Sequence, residues 1–157
     1  MALNISQFAQ SVVQGVLDLS VGVRSVLSAQ ISSTSAGGLV AGQSVKLVNV
    51  AGGIPDVVEC ASDADDVFGF IVYDIKDQSF DGLMKAEIAF GRSAVMYMTA
   101  SEAIIPGAEV MVVIASKKVA NATEGKRVIG RALDKAAGDG SLIRVMIDLP
   151  GALVPEA

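Results

Sequence analysis

Histidine and tryptophan are missing from this 157-residue chain, cysteine occurs once, and aromatic residues make up only 4% of it. Without histidine the chain lacks the side chain that most often exchanges protons near neutral pH, and the commonest transition-metal ligand. Ser–His and Cys–His nucleophilic catalysis and zinc sites of mixed Cys and His are excluded with it. The lone Cys60 cannot form an intramolecular disulfide, and within the apolar run 56–61 it reads as a small buried hydrophobe. Positive charge is scarce too. The 12 Lys and Arg face 17 Asp and Glu, for a formal net charge of −5, and they are scattered, whereas phosphate binding needs clustered cations. No apolar run reaches the ~18 residues of a membrane span, and the N-terminus lacks the basic start of a secretory signal. The expectation is a chain with no nucleic-acid or membrane partner, no cofactor and no metal, and with no enzymatic activity.

What is present is apolar: 52% hydrophobic residues and a mean hydropathy of +0.54. That is more than a lone domain of this size readily hides, and it argues for burial between subunits.

From residue 39 onward the chain reads as short strands rich in Val and Ile, parted by Gly, Pro, Asp and Asn turns. The segments are 43–49, 56–61, 67–73, 84–92, 94–100, 109–116, 118–122, 127–133 and 142–149. Alternation is clear at Met84, Ala86, Ile88 and Phe90, and again at Ile143, Val145, Ile147 and Leu149. The run from Val110 to Ala115 is apolar on both faces, as a central strand or an interface strand would be.

The body, 39–151, also reads as one motif used twice. Leu39 to Val45 matches Ile104 to Val110 at an offset of 65, and Val67-Phe68-Gly69 matches Val128-Ile129-Gly130 at 61. Lys85/Arg144, Ile88/Ile147 and Phe90/Leu149 lie 59 apart. Repeat one is placed at about 39–92 and repeat two at about 104–151. Gly42, Gly82, Gly107 and Gly140 suit turns that need positive φ, while Gly69 and Gly130, inside strands, suit a bulge or a close backbone crossing. The fold expected is all-β: a small antiparallel β-barrel or sandwich closed by the two repeats together.

Residues 1–38 read as an N-terminal arm and flexible link, and 152–157 as a C-terminal tail. Phe8, Val12, Val13, Val16 and Leu17 follow helical spacing, and Val21 and Val23 an extended pattern. Ser32 to Gly38 has linker composition. The arm is either an extra layer on the body or a segment docked on a neighbour. Its apolar residues Phe8, Val12, Val16, Leu17, Val21 and Val23 are the candidate capsid or neighbour contacts in the reading below.

Catalytic motifs fail on inspection. Gly91-Arg92-Ser93-Ala94-Val95 and Gly42-Gln43-Ser44-Val45-Lys46 lack the closing glycine of a nucleophile elbow, and Glu124-Gly125-Lys126-Arg127 lacks the upstream glycine of a phosphate loop. Asp63, Asp65 and Asp66 form the one dense acidic cluster, without the ligand ladder of a calcium loop. Asp74, Asp77 and Asp81 mark a long polar hairpin tip of a kind that often makes contacts.

With these residues laid out, the body resembles the tailed-bacteriophage capsid decoration (cement) proteins. The features are Ile105-Pro106-Gly107-Ala108-Glu109-Val110, Val128-Ile129-Gly130-Arg131-Ala132-Leu133, Ala137-Gly138-Asp139-Gly140 and Ile143 to Leu149, with Val67 to Val72 as the earlier copy of the middle element. The resemblance implies a small β-barrel protein on the outer surface of the capsid, made in the host bacterial cytoplasm. Its partners would be the major capsid protein, whose lattice it stabilises, and itself, as a homotrimer or a homodimer. The competing reading is a glycan- or host-surface-binding β-domain of a phage fibre or bacterial surface protein. Such platforms favour exposed Trp and Tyr, and here only Tyr73 and Tyr97 are available.

Overall fold

The computed structural model of the chain describes residues 14–18, 26–51 and 53–156. Ten strands run through them: β1 (Val26–Ile31), β2 (Ser44–Ala51), β3 (Ile54–Glu59), β4 (Gly69–Ile71), β5 (Lys85–Phe90), β6 (Arg92–Thr99), β7 (Glu109–Val113), β8 (Lys118–Asn121), β9 (Gly130–Ala132) and β10 (Leu142–Asp148). The fold is all-β. Each of the nine expected segments overlaps a strand, and β1 is an addition. Its inward residues are Ala29 and Ile31, and an alanine flanked by Ser28 and Gln30 gives little hydrophobic contrast, so the segment reads like the rest of the arm.

The first five strands close a barrel in the order β1-β3-β2-β4-β5, and the last five form a sheet in the order β6-β10-β9-β7-β8. The expected β-barrel body built from two similar repeats is borne out, with each repeat a five-stranded unit of its own and the first closing a barrel by itself, not jointly with the second. The connectivity is the same in both. The parallel pairing of β1 with β3 (Ile31↔Val57) has its counterpart in the parallel bridge Ala100↔Val119 between the β6 end and β8. Backbone bonds recur pairwise: Gly42 N donates to Ile71 O and Gly107 N to Ala132 O, both at 2.7 Å. Ser32 N donates to Val57 O and Ser101 N to Val119 O, both at 2.8 Å.

The structure confirms the offsets of 65 and 61, because Val45 faces Gly69 and Val110 faces Gly130. The offset of 59 is corrected. Gly69 faces Phe90 while Gly130 faces Ile147, so Phe90 corresponds to Ile147, Ile88 to Val145, and Glu87, not Lys85, to Arg144. A slip of two residues keeps every side chain on its own face, so alternation alone does not detect it.

The start of the second repeat also moves back. β6 is the counterpart of β1, which makes residues 26–90 the first unit and 92–148 the second. Ser32 to Gly38, expected as a flexible link, is a bonded turn: the Ser35 hydroxyl donates to Glu59 at 2.6 Å and Gly38 N to Asp81 at 2.8 Å. Short polar side chains that give a segment linker composition here hold a turn instead. Within the C-terminal tail, residues 152–154 pair with 125–128 through Val128 N to Ala152 O and Val154 N to Lys126 O, both at 2.9 Å.

Two clusters fill the interior. One is the lumen of the first barrel, with Ile31, Val45, Val57, Ile71, Phe80 and Ile88. The other joins the units: Phe70 and Ala89, on the outer face of β4 and β5, pack with Met96, Met98, Val110, Ile129, Val145 and Ile147. β7 is an interior strand whose Val110, Met111 and Val112 are all buried, as its two apolar faces suggest.

Candidate attachment surfaces

Residues 14–18 lie along the edge of β6 that β10 leaves open. Leu17 bridges Met96; Gly15 N donates to Tyr97 O, Tyr97 N to Val16 O and Asp18 N to Val95 O, each at 2.8 Å. This strap touches both units. Tyr73 N donates to Gly15 O at 3.0 Å, and the Gln14 amide accepts from Thr99 N and donates to Lys117 O at 3.0 Å.

The helical spacing read from Phe8 to Leu17 does not continue at its described end, where Gly15 turns the chain at φ 85°. Val16 and Leu17 are thus placed against the chain's own β6, with Leu17 packed on the inter-unit core. Phe8, Val12, Val21 and Val23 lie outside the described residues.

Arg144 anchors the strap. Its Nη1 meets Asp18 at 3.2 Å, and its Nη2 and Nε meet both oxygens of Asp134 at 2.8 and 2.9 Å. The guanidinium hydrogen bonds hold the Asp134 carboxyl below the usual aspartate range, and Asp134 together with Asp18 pushes Arg144 up.

The acidic cluster is occupied from within. Asp65 accepts from Ala61 N, Ser62 N and Lys46, which keeps its carboxyl low, the Ala61 bond foremost. Asp63 accepts from Ile114 N at 2.9 Å, and Asp66 pairs with Arg127 at 2.9 Å. Asp63 and Asp66 therefore tie the β3–β4 loop to the second unit. Cys60 is 3% exposed, and burial pushes its thiol up to about 11.

The six glycines divide by role. Gly42, Gly107 and Gly140 have the positive φ expected of them. Gly82 does not; Leu83 beside it takes φ 70°. At Gly69 and Gly130 an added Cβ would run into the carbonyls of Ala89 and Met146, the close crossing expected of a strand glycine.

Two grooves flank Pro150. One, of about 440 Å³, is lined by Gly130, Met146, the ion pairs Arg92–Asp148 and Arg131–Glu109, and residues 150–155. The other, of about 300 Å³, is apolar and includes the stacked rings of Phe68 and Phe90, 5.7 Å apart. Apolar side chains also stand out at Leu47, Val48 and Ile54 on the β2–β3 hairpin, at Tyr73, Ile75 and Leu83 between β4 and β5, at Ile105 before β7, and at Leu142, Met146 and Leu153 on β10 and beyond it. The sequence marks most of these places as strand or turn (Leu47 and Val48 in the segment 43–49, Leu83 beside Gly82, Ile105 before Gly107, and the Asp74/Asp77/Asp81 tip) but carries no signal that their apolar side chains are exposed.

Fold and surface define a duplicated five-stranded β-body strapped by its N-terminal segment, with its most exposed apolar groups on turns. Among solved structures, the crystal structure of the head fibre gp8.5 N base of bacteriophage phi29 shares this fold, with a TM-score of 0.54 and 13% identity. The match covers 80% of this chain and 95% of that one. No protein-family model matches the chain, and no curated protein matches it.

Proposed function

We propose that this chain is a structural protein of a bacteriophage virion, attached to the outer surface of the head, where it binds the major capsid protein and cements its lattice. The observation that carries this reading is the shared fold with the phi29 head-fibre base over 95% of that chain. The body's resemblance to capsid decoration proteins supports it independently. Its features fall on the β7 turn, β9 and β10, the elements that repeat between units.

The charged residues fit a binding role. Arg144, Arg127, Asp63 and Asp65 are committed to holding segments together. The surplus of apolar residues is assigned to self-association as a homotrimer and to contact with the shell. The chain is made in the host bacterial cytoplasm and ends on the virion exterior.

The test is co-sedimentation of the purified chain with heads that lack it, followed by electron microscopy and heating of the decorated particles. Saturable binding, density on the outer surface at local symmetry axes and DNA retention to a higher temperature are expected. Absence of binding overturns the reading. Binding without gain in heat resistance favours an anchoring base over a cement protein.

A further inference from the structure

The two units make the same hydrogen bonds at corresponding places, so each serves as a reference for the other. At the turn into β5, Leu83 N donates to Ile31 O at 2.8 Å; at the turn into β10, Gly140 N donates to Ala100 O at 2.8 Å. Both residues are left-handed, with φ of 70° and 85°. Glycine adopts this conformation freely, whereas a branched side chain does so at a steric cost. Leu83 is 66% exposed, so packing within the chain does not explain why leucine stands where glycine serves in the other unit. A strained, exposed residue with a strain-free counterpart points to something outside the chain.

A second difference lies in the same connection. Val72 N donates to Glu87 O and Leu133 N to Arg144 O, while Leu39 pairs with Phe80 and Ile104 with Ala136. Between these fixed points the first unit has residues 73–79 and the second only 134 and 135. The added segment carries Ile75, at 82% the most exposed large apolar side chain among the described residues. Asp74 presents it by accepting from Lys76 N at 2.8 Å. Tyr73, Ile75 and Leu83 all belong to the connection across one end of the barrel, where β1 and β4 finish and β5 begins.

We propose that this end of the first barrel is the docking surface for the shell subunit, with Ile75 and Leu83 as its anchors. Its partner is an apolar depression bordered by basic side chains. The sign follows from residues 73–85, where Asp74, Asp77 and Asp81 outnumber Lys76 and Lys85. The inference rests on the head-attachment reading above.

The experiment compares wild type, Leu83→Gly and Ile75→Ser for thermal stability and for binding to undecorated heads at low and high salt. Leu83→Gly is expected to melt at or above the wild-type temperature, because it relieves the left-handed leucine. Each variant is expected to bind about tenfold more weakly or worse, and wild-type binding should weaken as salt rises. Wild-type binding with both variants undiminished overturns this surface and leaves head attachment standing. Failure of wild type itself to bind heads overturns both.

Discussion

Gly69 and Gly130 occupy the same place in their units, where β4 and β9 cross the backbone of the closing strand too closely for a Cβ. Gly130→Ala is expected to cost about 2–3 kcal/mol, since the obstacle is backbone that cannot turn aside. Gly138→Ala, with open space around it and no positive φ, should stay within about 0.5 kcal/mol of wild type. Urea midpoints measured side by side check both. The Arg144–Asp134 pair makes a pH prediction. Its carboxyl is depressed in the folded state, so its stabilisation is present above the ordinary aspartate pKa and is lost as pH falls through the folded one. Melting temperature should be flat from neutral pH to about 5 and fall below about 4. Asp134→Asn should start about 1 kcal/mol lower at pH 7 and lose less on acidification. That figure is kept small because about a third of each side chain remains in water.

At the scale of elements, the strap and β1 both lie in the stretch that composition set apart as an arm, yet both are bonded into the body. The strap's contribution is separable from that of the residues before it. Removing residues 1–18 deletes the Leu17 contact with the core and uncovers the edge of β6, at an expected cost of about 2–3 kcal/mol. The Tyr97 amide, which donates to Val16 O, should then exchange its hydrogen far faster, and the bare edge should promote self-association. Removing only residues 1–13 keeps Gly15, Val16 and Leu17 and should leave the Tyr97 amide protected. Exchange measured on the two truncations decides whether the strap carries this stability.

At the scale of the whole molecule, the larger core takes Phe70 and Ala89 from the first unit and most of its remaining members from the second. Asp63 and Asp66 add polar ties between the units. The two units should therefore unfold in one cooperative step, with fluorescence of Tyr73 and Tyr97 and far-ultraviolet circular dichroism tracing the same denaturant midpoint. Two separate transitions would refute that coupling. Nine of the ten strands, the turns at Gly42, Gly107 and Gly140 and the repetition of the motif were determined by the sequence alone, because strand alternation, turn chemistry and self-similarity are local properties of the chain. Which strands close which unit was decided only by the tertiary structure. A two-residue slip leaves alternation unchanged, so pairing partners were needed to match Phe90 with Ile147 and Glu87 with Arg144. Pairing was equally needed to place β1 in the barrel. The same holds for the candidate surface: Leu83 looks ordinary in the sequence, and its left-handed backbone stands out only beside Gly140 at the matching turn. Burial and register depend on residues distant along the chain, and those contacts exist only once it has folded.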